Sequence, residues 1–127
     1  MYRVAETDQP TYMTGPEYQL LEDVTYGVKL TDPHATGACY DLYPPAADKV
    51  MNSVSQWNSG RIYLHNGLLQ HWLNGKKLVE ATIFDDSGKP TPEWAARIAA
   101  SKFKDAPGFG VQPTGFIAIQ DHGDSEL

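Results

Sequence analysis

The stretch Arg61–Phe84, "RIYLHNGLLQHWLNGKKLVEATIF", decides the fold. Asn66-Gly67 and Asn74-Gly75 each stand between β-prone runs. Such pairs favour the type I′ turn, because both of its central residues need positive φ. Two turns of this kind predict a three-stranded meander: Arg61–His65, Leu68–Leu73 and Lys76–Phe84. "DDSGKP" then breaks the last strand.

Outward from this meander, strand signals continue. "MYRVAE" is short and β-prone. "EYQLLED" alternates, with Glu17, Gln19 and Leu21 on one face and Tyr18 and Leu20 on the other. "TDQPTYMTGP" between them reads as a loop, and "ACYDLYPP" as a strand stopped by Pro44-Pro45. Residues 46–56 read as a connection. One helix is predicted near Thr91–Lys102: Thr91 can cap it, Pro92 suits its first position, and Trp94, Ile98 and Ser101 share a face. "GFIAIQ", Gly115–Gln120, reads as a final strand. Many antiparallel strands with one helix predict a mainly β chain, a β-sandwich; the long early connections fit a jelly roll better than a plain meander.

The chain of 127 residues suits one domain. Its formal net charge of −6, with no Lys/Arg cluster, argues against nucleic acid as a partner. No apolar run has the length of a membrane span. The opening "MYRVAETDQP" lacks the basic and apolar regions of a signal peptide. Cys39 is the only cysteine, so an internal disulfide and Cys-rich zinc sites are excluded, and Cys39 reads as a small core residue.

Six blocks, "TGPEYQLLED", "YDLYPP", "QWNSGRIYL", "HWLNGKKLVE", "RIAASKFKDAPGFG" and "GFIAIQDHGD", follow one another in order. Together they resemble the 3-keto-disaccharide hydrolase domain family. The resemblance runs from Tyr2 almost to Asp124. It implies a concanavalin-like jelly-roll sandwich with a concave polar face, acting on 3-keto-glycosides by hydrolysis or elimination, usually in the periplasm or outside the cell. Family members carry further strands before the "YRV" block and one after "QDHGD". The resemblance therefore implies that this chain is an internal part of the domain, with open sheet edges through which it could self-associate.

A ketone at C3 of a sugar acidifies the proton on C2. Cleavage then needs a base near C2, a stabiliser for the enediolate oxygens and an acid for the leaving oxygen. A divalent metal such as calcium, chelating O2 and O3, would be one stabiliser. In a regular final strand, Phe116, Ala118, Gln120 and His122 point one way and Ile117, Ile119 and Asp121 the other. Pairing that strand with Glu17–Leu21 would gather Glu17, Gln19, Gln120 and His122. His122 and Glu17, with Asp121 ranked behind them, are the expected catalytic groups. Gln19, Gln120, Lys102 and Trp72 are the expected substrate contacts.

Each residue also has a plainer reading. Glu17 and Gln19 fit the wet face of an antiparallel sheet. Asp121 fits a turn residue bonding nearby amides, and Lys102 a cation at a helix C-terminus. Trp72 and His71 fit the core. His34 and His65 fall in loops and receive no role, and Asp85-Asp86 reads as a solvated turn. A carbohydrate-binding module without chemistry, and an inactive remnant of the enzyme, remain open beside the enzyme reading.

Overall fold

The structure is a computed structural model that describes residues 1–121 and 123. Its class is mainly β, as expected. Strands β1 (Gly60–His65), β2 (Leu68–Leu73) and β3 (Lys76–Thr82) form an antiparallel sheet in the order β1-β2-β3. Leu64 pairs with Leu69, and Leu69 with Ala81. Both Asn-Gly turns adopt the predicted conformation: φ is 46° and 78° at Asn66-Gly67, and 49° and 81° at Asn74-Gly75. Gly67 has a second reason to be glycine, since a Cβ there would meet the Phe84 carbonyl oxygen at 2.2 Å. β3 ends at Thr82, short of the expected Phe84, because Phe84 pairs with Pro90 across the next turn.

Helix α1 spans Pro92–Ala99. The Thr91 hydroxyl accepts from the Trp94 backbone N–H at 3.2 Å, and Pro92 opens the helix as predicted. The helix stops before Lys102, and the Ser101 hydroxyl donates to the Ile98 carbonyl at 2.8 Å. Trp94 is fully buried, stacks on Tyr43 and donates its indole N–H to the Gly110 carbonyl at 2.8 Å.

Leu69, His71 and Leu73 of β2 face the core, joined there by Tyr2, Tyr18 and Cys39. The Cys39 thiol is pushed up to about 12 by burial, so it stays protonated and inert, as a core residue should. His71 makes two hydrogen bonds inside this core, one at 2.9 Å with the Tyr2 hydroxyl and one at 3.1 Å with the Gly37 carbonyl.

The expected outer strands are much shorter than their sequence suggests. "MYRVAE" and the final segment share one bridge, Val4 with Phe116. "EYQLLED" contributes a bridge between Tyr18 and Cys39. "ACYDLYPP" is reversed on itself: Cys39 bridges Tyr43, and Asp41 takes a φ of 60° at the bend. Side chains replace ladder bonds here. The Thr36 hydroxyl takes the Leu21 N–H at 2.8 Å, and its own N–H donates to Asp23 at 2.8 Å. Asp23 is paired with Lys49 at 2.5 Å, and both side chains are only 1% exposed. Lys49 also donates to the Thr36 carbonyl at 2.9 Å, so this ion pair ties three loop segments together in the interior.

Candidate functional site

The face that carries the expected site is assembled differently from the sequence reading. Glu17–Leu21 and the final segment do not pair with each other. The N-terminal segment runs between them: Tyr2 N–H donates to the Pro16 carbonyl at 3.0 Å, while Val4 and Phe116 exchange two bonds of 3.0 Å. Ala118 N–H donates to the Met1 carbonyl at 3.1 Å, and the Met1 amino group donates to the Ala118 carbonyl at 2.8 Å. Glu17 and Gln120 therefore flank the N-terminal segment from opposite sides.

Tyr40 sits at the centre of this face. Its backbone N–H donates to the Glu17 carbonyl at 3.1 Å, a consequence of the neighbouring Tyr18–Cys39 bridge. Tyr18 is turned into the core against His71, which leaves Glu17 and Gln19 half-buried on the other side. Partial burial raises the Tyr40 hydroxyl above its ordinary pKa, and the carboxylates of Glu17, Asp41 and Asp32 raise it further. The phenol thus holds its proton at neutral pH. The Lys102 ammonium lies over the Tyr40 ring at 4.2 Å from its centre, with Tyr12 at 5.5 Å. His34 meets the Tyr40 ring edge-on at 4.8 Å. One ring nitrogen of His34 is 2.7 Å from Asp32 and the other 3.2 Å from Asp41. Asp32 is held below the usual carboxylate range by the His34 backbone N–H and ring.

Tyr12 links this cluster to a hollow of about 380 Å³ lined by Met1, Thr11, Tyr12, Ala118, Ile119, Gln120 and Asp121. The expected alternation of the final segment is absent, since consecutive residues line one hollow. Phe116, Ile117 and Ile119 are all exposed.

Of the expected residues, the structure sets Glu17 beside Tyr40, Gln120 and Asp121 in the hollow lined by Tyr12, and Lys102 between the two tyrosine rings. Asp121 accepts the Gly123 N–H at 3.0 Å, the turn geometry anticipated for it. Gln19 is adjacent, its backbone bonded to Gly37 and Ala38. His122 lies outside the described residues. Trp72 lies elsewhere: it projects from the sheet face opposite His71 and donates to Gln70 at 3.0 Å. Tyr12, Tyr40, His34, Asp32 and Asp41 were missed by sequence reasoning. The Asp32-Pro33-His34 spacing was the one local signal available, since an Asp side chain commonly accepts the N–H two residues on, as it does here at 2.9 Å.

A divalent metal finds no ready cage among the described residues, where no three His, Cys, Asp or Glu side chains converge as ligands. The nearest group, Asp32, His34 and Asp41, has its atoms turned on one another in hydrogen bonds. The arrangement instead offers a carboxylate, a protonated phenol and an ammonium ion on one wet face.

The sequence profile of a family described as a 3-keto-alpha-glucoside-1,2-lyase-like domain matches residues 1–126. Similar proteins include the 3-keto-disaccharide hydrolase of Bacteroides thetaiotaomicron, 28% identical over 129 residues that cover 91% of this chain and 42% of that protein. A protein of solved structure from Parabacteroides distasonis ATCC 8503, described provisionally as a glycosyl hydrolase, is 32% identical with a TM-score of 0.72. The match covers 90% of this chain and 52% of that one. The chain spans about half the length of these relatives.

Proposed function

Because the chain belongs to the 3-keto-alpha-glucoside-1,2-lyase-like domain family, we propose that its Tyr40 face binds a 3-keto-glycoside and takes part in cleaving the glycosidic C–O bond. The same reading extends the sheet into a concanavalin-like jelly-roll sandwich. The observation that carries it is the juxtaposition of Glu17, whose carbonyl takes the Tyr40 N–H at 3.1 Å, with the Tyr40 ring and the Lys102 ammonium above it.

In this reading the Glu17 carboxylate takes the C2 proton, which the C3 ketone acidifies. The Lys102 ammonium stabilises the enediolate oxygens. The Tyr40 phenol, which holds its proton, gives it to the leaving glycosidic oxygen as the C1–O bond breaks. Water then adds at C1 of the enone, and the net reaction is hydrolysis. Gln19 and Gln120 bind sugar hydroxyls, while Asp121 and His122 serve as further proton carriers. Trp72, on the other side of the sheet, has no part in this reading.

The test is release of p-nitrophenol from a p-nitrophenyl 3-keto-α-glucoside. Glu17→Gln and His122→Ala are each expected to lower the rate on the order of 100-fold with the fold intact. Undiminished rates in both variants would move the chemistry to other residues.

A further inference from the structure

The two groups that flank Tyr40 come from distant parts of the chain, and one side chain joins them. Asp41 accepts the Lys102 backbone N–H at 2.7 Å through Oδ2, while its Oδ1 lies 3.2 Å from Nε2 of His34. Its own N–H donates to the Pro33 carbonyl at 3.0 Å. Its backbone takes a φ of 60°, a conformation that costs a non-glycine residue free energy and that Asp tolerates better than most. The carboxylate is thus turned to reach both the loop after α1 and the loop bearing His34. Lys102 follows the helix in a turn and is exposed, and its ammonium lies near three rings, Tyr40, Phe103 and Tyr12, so attraction to aromatic faces alone does not select Tyr40. The bond from Asp41 fixes its backbone at the point where the side chain leaves.

We propose that Asp41 is a positioning residue: its carboxylate locks the Lys102 backbone and the His34 ring on either side of Tyr40, and so sets where the Lys102 ammonium stands. This rests on the Tyr40 face being the site, as argued above. Asp41 itself touches no substrate. Its effect on turnover runs through Lys102.

The experiment uses Asp41→Gly, which accepts the positive φ without strain and removes the carboxylate, and reads the NMR shift of the Lys102 ε-methylene protons. In the unsubstituted protein the Tyr40 ring, nearer to the ammonium than those of Phe103 and Tyr12, is expected to move these resonances upfield. In Asp41→Gly they are expected to return to the ordinary lysine position, and turnover of the 3-keto-glycoside is expected to drop on the order of 100-fold, the scale of a misplaced catalytic group. In a Lys102→Met background the same glycine substitution should then add little. If Asp41→Gly does not fold, Asp41→Asn serves: it tolerates the same φ, but its neutral oxygen accepts the Lys102 N–H more weakly, so the Lys102 shift should move part of the way back, and an unchanged shift would overturn the proposal. An upfield Lys102 shift that survives in folded Asp41→Gly overturns the proposal. A shift that collapses in a protein with no activity on 3-keto-glycosides supports the positioning role and removes the proposed function alone.

Discussion

The Lys102 ammonium and the Tyr40 ring face each other at 4.2 Å. The carboxylate of Glu17 acts on the same tyrosine, so charges of both signs border one phenol. Lys102→Met keeps the stem that covers the ring and removes only the charge. It should lower kcat/KM on a 3-keto-glycoside about 100-fold, the scale of losing one group that stabilises a developing oxyanion. Because Lys102 is exposed, stability should stay within about 0.5 kcal/mol. Steady-state kinetics beside a thermal melt separates the two effects, and an active variant would remove Lys102 from the chemistry.

His71 makes stability depend on pH. Burial lowers its pKa from 6.5 to about 4, so the fold holds it neutral while the unfolded chain protonates it readily. Stability from this group is full above the unfolded value and declines as pH falls from about 6.5 towards 4. The full loss is on the order of 3 kcal/mol. Urea titrations across that window should show the decline. His71→Gln, which keeps a polar group near Tyr2, should flatten it; an equally steep slope in the variant would assign the effect elsewhere.

The Asp23–Lys49 pair should respond asymmetrically to substitution. Lys49→Met leaves a carboxylate without its cation at a site only 1% exposed, and should cost about 3–5 kcal/mol. Adding Asp23→Asn removes that charge while keeping an acceptor for the Thr36 N–H, and should recover a large part of the loss. Denaturant unfolding of the unsubstituted protein, Lys49→Met, Asp23→Asn and the double variant measures this. A double variant as unstable as the sum of its parts would mean that the pair acts through packing alone.

Gly110 tests the contact beneath α1. A Cβ there would lie 2.9 Å from the Trp94 ring and 3.3 Å from Ile98, and φ is 66°. Gly88 has a similar φ of 77° with nothing within 4 Å of a Cβ. Gly88→Ala should therefore report the backbone cost alone, about 1–2 kcal/mol. Gly110→Ala should exceed it by about 1–3 kcal/mol of overpacking. Equal losses in the two variants would show that Trp94 yields freely.

The parts legible in the sequence are those whose cause is local. Asn66-Gly67 and Asn74-Gly75 carry their turn in two adjacent residues, and Thr91-Pro92 carries a helix start in two more. The outer strands failed as regular elements because a strand needs a partner that its own letters do not name. Tyr18 found one bridge to Cys39, and Ile117 and Ile119 found no cover among the described residues. The site divided in the same way. Glu17 could be chosen from alternation within its segment. Tyr40 and Asp41 became meaningful only through contacts with Lys102 and Glu17, which lie far from them along the chain, and His34 only through its contacts with Tyr40 and Asp41.

The Tyr2–His71 hydrogen bond joins residues 69 positions apart, whereas the meander that carries His71 closes through two-residue turns. Closing a long loop is entropically slow and closing a hairpin is fast. The chain is therefore expected to acquire its structure in a set order, with the meander first, offering His71 as an unfilled polar seat, and the N-terminal segment arriving later to occupy it. Pulsed hydrogen exchange during refolding should find amides of β2 protected before that of Tyr2. Since the same segment carries the wall between Glu17 and Gln120, late docking of the N-terminus would make completion of the Tyr40 face a late step of folding.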